Sequence, residues 1–130
     1  MSTTSIYYVQ AFISEDGLYA DCSYFYDKAA KLPVAGSTLA IPTEAGACTI
    51  QQADDSDLML LGASFKTLGH APVMTDSNFS AADGQSSLDV PMPTSSVVTK
   101  GVVLLFSNPG TVDGLYASAD PEITNGGGDF

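Results

Sequence analysis

The chain has 130 residues, a mass of 13.4 kDa and a formal net charge of −11, with four Lys or Arg against fifteen Asp or Glu. This length suits one domain, and 45% apolar residues supply the core of a folded chain rather than an acidic disordered tail. The charge argues against nucleic acid and anionic membranes as partners, because both require clustered Lys and Arg.

The beginning of the chain predicts a β-hairpin. Residues 5–13 and 18–26 alternate in side-chain direction and are rich in aromatic and β-branched types, which is typical of strands with one packed face. Between them, Asp16 and Gly17 supply the positive φ angle that a tight chain reversal needs. The expected core face of the second strand consists of Leu18, Ala20, Cys22, Tyr24 and Tyr26.

Further short strands follow, separated by turn residues. Residues 27–32 have helix-forming composition, and Pro33 limits them to a helical turn or a loop. Residues 69–85 are rich in turn formers and read as a loop, with an edge segment at 72–74 as the alternative. The remaining predicted strands are residues 37–41, 47–52, 58–64, 88–92, 97–106 and 115–119.

One five-residue sequence occurs twice. Asp-Gly-Leu-Tyr-Ala at 16–20 recurs at 113–117, each time after an apolar strand. Each Asp-Gly is expected to reverse the chain and each Leu-Tyr-Ala to begin a return strand, which predicts two related hairpins in a two-sheet body. Chance recurrence in a chain rich in Gly, Ala and Tyr is the alternative.

These elements predict an all-β fold. Turn signals recur about every 8–12 residues, which favours an antiparallel β-sandwich or jelly roll of about seven to nine short strands, with a small barrel as the alternative. The domain is expected to span 1–124, with 125–130 as a flexible Gly-rich C-terminal tail. Because the acids concentrate in turns, we expect the negative charge to lie on the loops at the rim of the sandwich.

Catalytic and cofactor motifs are not evident in the sequence. His70 is the sole histidine and lies in a turn, so any Ser-His-Asp or Cys-His set would depend on it. We predict no enzyme activity, no cofactor and no metal site. Calcium is the most reasonable metal for the acids at 54–57, although solvated turns explain them as well. Cys22 and Cys48 are expected to be buried structural thiols, with one disulfide as the alternative.

Apolar runs in the sequence are short. The longest, 58–63 and 101–106, fall far below the roughly 20 residues that a membrane helix requires, and no secretory signal is visible. We therefore expect no membrane insertion and a location in the cytoplasm or in a virion.

Aromatic residues are the candidates for contacts with other chains. Tyr is enriched at interfaces because its ring buries area while its hydroxyl stays hydrated; pairing of the tyrosines across strands of one sheet is the alternative. Phe130 ends a Gly-rich spacer that could dock on a neighbouring subunit, with a frayed terminus as the default. The predicted interface residues are Tyr7, Tyr8, Tyr19, Tyr24, Tyr116 and Phe130.

A short segment near the C-terminus resembles a known family. Gly114 to Tyr116, followed by Ala-Asp-Pro-Glu-Ile-Thr at 119–124, resembles the aromatic-Asp-Pro-x-Ile-Thr ending of the PixA/AidA family. In this chain the residue before Asp120 is not aromatic. The resemblance implies an intracellular inclusion-body protein.

Elimination favours a non-enzymatic structural protein, in particular a decoration or cement protein on a phage or viral capsid. Such a protein acts as a homo-oligomer or within a larger protein assembly. The alternatives are a carbohydrate- or calcium-binding β-sandwich module and an inclusion-body protein of the resembled family. Fold class alone does not separate them.

Overall fold

The computed structural model describes residues 5–68, 78–82, 87–108, 115–118 and 121–126, which form ten strands and one 3-10 turn at Thr43–Ala45. The all-β prediction is confirmed. Eight of the strands correspond to predicted ones, whereas β6 and β10 were not predicted. The strands are β1 (Ile6–Ile13), β2 (Ala20–Phe25), β3 (Thr38–Ala40), β4 (Ala47–Gln52), β5 (Met59–Thr67), β6 (Phe79–Ala81), β7 (Ser87–Pro91), β8 (Thr99–Ser107), β9 (Leu115–Ala117) and β10 (Glu122–Thr124).

The strands form two sheets. One has four strands in the order β2-β1-β4-β7, and the other has six, in the order β3-β10-β8-β5-β6 with β9 also paired to β8. Most neighbouring strands pair antiparallel, but both sheets are mixed, because β1 pairs in parallel with β4 and β10 pairs in parallel with β3. Alternation of side chains predicts which face of a strand is buried but not the direction of its neighbour, so these two parallel pairs were not predictable from local sequence.

The opening hairpin is confirmed. β1 and β2 pair antiparallel from Tyr8 with Phe25 to Ile13 with Ala20, and Gly17 in their connection has a φ of 78°. On the predicted core face, Ala20 and Tyr24 are buried and Cys22 is half-buried. Leu18 and Tyr26 are exposed instead, because they lie just outside the two ends of β2.

The second copy of the repeated sequence also contributes a return strand. Its described part, Leu115–Ala117, is β9 and pairs antiparallel with the end of β8. The two copies meet: Ala20, the last residue of the first copy, forms a parallel bridge with Ser118, which follows the second. Ser118 is buried, and its hydroxyl accepts a hydrogen bond of 2.9 Å from the amide of Leu104. The repeat thus joins an edge of the four-stranded sheet to the six-stranded one.

A single cluster of buried side chains fills the space between the sheets, as expected for a β-sandwich. Three polar contacts cross this space as well. The Tyr7 hydroxyl donates to the carbonyl of Ala40, and the Ser80 hydroxyl donates to the carbonyl of Asp89 at 2.6 Å. The Lys100 amine lies 5.1 Å from the centre of the Phe65 ring and donates to the carbonyl of Pro91 at 2.5 Å. The two sheets are therefore held in register by hydrogen bonds as well as by apolar packing.

The first residue of the predicted C-terminal tail packs against the rest of the structure. Asn125, assigned to a flexible tail, is 0% exposed, and its side chain makes three hydrogen bonds of 2.8 Å. A hydrogen bond from Thr43 to its carbonyl also fixes its backbone. The domain therefore includes Asn125; residues 127–130 lie outside the described part of the chain.

The two cysteines are not bonded to each other. Both are free thiols, and Cys48 is buried while Cys22 is only half-buried, so the expectation of two buried thiols holds for one of them. Burial raises the pKa of the Cys48 thiol to about 12. A thiol in this environment stays protonated and unreactive in the folded protein.

Alkaline pH should destabilise the fold through two buried groups. Burial raises the pKa of Tyr7 from 10.0 to about 12, and that of Cys48 from 9.0 to about 12. Between about pH 9 and pH 12 the unfolded chain therefore binds fewer protons than the folded one, and stability that is complete below about pH 9 falls as the pH rises. Urea unfolding at several pH values measures this loss.

Two variants test the assignment to Tyr7. Tyr7→Phe removes the titrating hydroxyl, so its stability should fall less steeply above about pH 10 than that of the wild type. Tyr19→Phe, at a ring that is 52% exposed, is the control and should leave the dependence unchanged. Equal slopes for the wild type and Tyr7→Phe would contradict the prediction.

Candidate assembly surface

The outer face of the six-stranded sheet carries several exposed apolar side chains. In β8, Val102, Leu104 and Phe106 point into the core and are buried. Because side chains alternate along a strand, Val103 and Leu105 point outward between them. Val103 is 39% exposed although it lies on a central strand of the sheet. This strand is thus apolar on both faces, only one of which is buried among the described residues.

The neighbouring strands extend this apolar surface. We name it the apolar face and define it by six side chains, five of which are between 39% and 64% exposed, with Leu105 half-buried. Residues that pair across neighbouring strands form three rows on this face, and none of them is charged. The first row is Phe79, Ser64 and Val103, the second is Ala81, Gly62, Leu105 and Ala117, and the third is Met59, Ser107 and Leu115. The six side chains of the apolar face are Met59, Leu61, Phe79, Val103, Leu105 and Leu115.

A β-bulge adds one leucine to the apolar face. The pairing of β5 with β8 shifts between Leu60 and Gly62, so that Leu61 is an additional residue, and it is 41% exposed. Gly62 is required next to it, because a Cβ atom there would lie 2.7 Å from the carbonyl oxygen of Ser80. The glycine therefore lets β6 pair closely with β5 while Leu61 remains at the surface.

A row with charges of both signs borders the apolar face. Gly101 of β8 pairs with Lys66 on one side and with Glu122 on the other, and both charged side chains are exposed. Leu68 covers the glycine, since a Cβ atom at Gly101 would lie 3.1 Å from Leu68 Cδ2. A shallow groove of about 510 Å³ runs here. The Phe65 ring in its lining is 2% exposed and therefore unavailable for stacking on a sugar.

The structure divides the predicted aromatic interface residues. Tyr7 and Tyr24 are 3% exposed and belong to this chain's own core, which is a correction: their rings pack between the two sheets. Tyr116 is half-buried, packs against the core and pairs with Phe106. Phe130 lies outside the described residues.

Two tyrosines of the prediction remain at the surface. Tyr8 is half-buried on the outer face of the four-stranded sheet, next to Phe25 on β2. Tyr19 is exposed in the connection between β1 and β2. Tyr8 therefore belongs to the other sheet and not to the apolar face.

Acidic clusters do not converge in the described part of the chain. Asp54, Asp55 and Asp57 are exposed turn residues, and no group of three or more His, Cys, Asp or Glu among the described residues is placed to hold a metal ion. His70 and Asp120 lie outside these residues. The structure also contains, where it is described, no helix long and apolar enough to cross a membrane.

Comparison with protein-family models and with curated proteins finds no match. The apolar face therefore has to be interpreted from its own chemistry.

The sequence contained one signal for this surface. The run Gly101 to Phe106 is continuously apolar rather than alternating. A strand of this type is covered on both faces, and in a two-sheet fold the chain itself covers only one. The contributions of Met59, Phe79 and Leu115 depend on strand register and were not predictable from local sequence.

Proposed function

We propose that this protein is a non-enzymatic structural protein that assembles by contact of its apolar face with a second copy of the chain. The observation that carries the proposal is the exposure of five large apolar side chains, with the half-buried Leu105 among them, on a sheet face whose three adjacent rows are uncharged. Contiguous apolar patches on soluble domains commonly mark protein contacts, whereas isolated exposed apolar residues need no explanation.

Charge favours the apolar face over the rest of the surface for contact with a second copy. With a net charge of −11, two copies repel each other over most of their surfaces. Part of this negative charge lies on exposed turn residues such as Asp54, Asp55 and Asp57. The apolar face lacks this barrier, because the paired residues of its three rows are uncharged. Self-association is therefore electrostatically least costly through this face.

The experiment compares two substitutions by sedimentation velocity over a range of protein concentrations. Val103→Asp places a charge on the apolar face, and Ile13→Asp places the same charge on a residue of the opening hairpin with the same 39% exposure. Both variants have the same net charge. Wild-type protein should associate, Val103→Asp should weaken association by about 100-fold, and Ile13→Asp should change it by less than about threefold.

The outcomes separate the alternatives clearly. A wild-type chain that remains a monomer up to about 1 mM would overturn the proposal, since contacts weaker than this contribute little. Weakening by Ile13→Asp but not by Val103→Asp would assign assembly to the hairpin and overturn the role of the apolar face. Circular dichroism confirms that both variants are folded before they are compared.

The more specific form of the proposal is decoration of a phage or viral capsid. An intracellular inclusion body, which the C-terminal resemblance implies, is a second setting for a self-assembling chain. The two differ in what the isolated protein does. A decoration protein stays in solution and co-sediments with added capsid shells, whereas an inclusion-body protein forms particles when expressed alone.

A further inference from the structure

The apolar face has an approximate symmetry about β8, its central strand. β5 lies on one side of β8, and β9 and β10 follow each other along its other side. Met59 and Leu115 therefore flank Ser107 at one end, and Lys66 and Glu122 flank Gly101 at the other. In each pair, Met59 with Leu115 and Lys66 with Glu122, the two residues thus lie one strand away from β8 on opposite sides.

We propose that two copies pack their apolar faces together about a twofold axis that runs along β8. This arrangement rests on the proposed function and specifies its geometry. In a twofold dimer, a residue on one side of the axis faces the residue at the same distance on the other side of the second copy. Lys66 of each copy then meets Glu122 of the other, and Met59 meets Leu115. Val103 and Leu105 meet their own counterparts near the axis.

Side-chain sizes also fit this axis. Leu61 projects beside Gly62 on β5, and Ala117 occupies the matching position on β9. The large side chain of each copy thus meets a small one of the other, as interdigitating sheet faces about 10 Å apart require. Strands of packed sheets cross at about 30° in aligned packing, which is compatible with an axis close to β8.

An axis across the strands is less favourable. It would place Lys66 of one copy against Met59 of the other, and Glu122 against Leu115. Each charge would then be covered by an apolar side chain without a partner, at a substantial desolvation cost. Only the axis along β8 pairs the charges with each other and the apolar residues with each other.

The size of the face predicts a weak dimer. Four strands about 4.8 Å apart and rows spanning about 20 Å cover on the order of 400 Å² in projection on each copy. Interfaces of this size lie at the small end of specific contacts, so we expect dissociation at micromolar concentrations. Measurements between about 1 µM and 500 µM cover this range.

Charge reversal tests the axis. Lys66→Glu, Glu122→Lys and the double variant are compared at low salt, by sedimentation equilibrium. Each single variant brings like charges together twice in the dimer, so each should weaken it by about tenfold. The double variant exchanges the charges and should return to within about threefold of the wild type. Its net charge is that of the wild type, −11.

Net charge alone predicts a different pattern. Lys66→Glu makes the chain more acidic and would weaken any self-association, but Glu122→Lys makes it less acidic and would strengthen it. Lys28→Glu and Glu44→Lys, at exposed residues outside the apolar face, reproduce these changes as matched controls.

Each result has one meaning for the axis. Weakening by Glu122→Lys together with recovery in the double variant supports the axis along β8. A dimer that Glu122→Lys strengthens, or that the double variant does not restore, overturns this axis. If Val103→Asp still abolishes that dimer, the proposed assembly through the apolar face stands without the axis along β8. If Val103→Asp also has no effect, both proposals fail.

Discussion

Replacing Asn125 by alanine should lower the free energy of unfolding by about 2–4 kcal/mol, because three backbone groups lose their hydrogen bonds to one buried side chain at once. The Asn125 Nδ2 atom donates to the carbonyls of Pro93 and Ser96, and its Oδ1 atom accepts from the amide of Val98, each at 2.8 Å. Asn125 is 0% exposed, so water replaces these bonds only by entering the structure. This side chain holds the segment before β8 against the end of β10.

Urea unfolding of Asn125→Ala measures this effect, at a protein concentration of about 1 µM so that association contributes little. Gln10→Ala is the control, because the Gln10 amide also donates to a backbone carbonyl, that of Asp54 at 3.2 Å, but is exposed. The control should change stability by less than about 0.5 kcal/mol. A similar small loss for Asn125→Ala would show that the side chain does not hold this segment.

Sequence reasoning located most strands because their signals are local. β4 was predicted with the bounds that the structure shows, Ala47–Gln52, since apolar residues alternate between clear turn residues. β6 and β10 have three residues each; β6 pairs with β5, and β10 pairs with β8 and β3. β3 and β9 are equally short but lie within longer predicted runs, at 37–41 and 115–119, whereas β6 and β10 stand directly beside turn residues and lack such a run.

The candidate surface was less predictable than the fold. The tyrosines were reasonable candidates by residue type. Whether a ring points inward, however, depends on its position in the strand, because successive side chains point to opposite faces. Tyr7 and Tyr8 are adjacent, and only Tyr7 is buried in the core. The apolar face depends on the register of four strands and on a bulge at Leu61, which no local pattern indicates. The apolar run at 101–106 fits a strand with two apolar faces, but it does not show which residues surround that strand.

Replacing Phe106 by alanine should lower the free energy of unfolding by about 3–5 kcal/mol. Phe106 is 0% exposed at the centre of the core, between Leu60 of β5 and Tyr116 of β9. Removing its ring leaves a cavity that three paired strands cannot close without losing their register. Phe106→Leu fills most of this space and should cost distinctly less than the alanine substitution.

Phe79→Ala is the matched control, because it removes the same ring from the apolar face, where Phe79 is 57% exposed. Urea unfolding at about 1 µM should show a loss of less than about 1 kcal/mol for Phe79→Ala. Self-association is then measured by sedimentation at higher protein concentration. Here Phe79→Ala should weaken association although its fold is intact. Equal losses of stability for the two variants would contradict the assignment of one ring to the core and the other to an assembly surface.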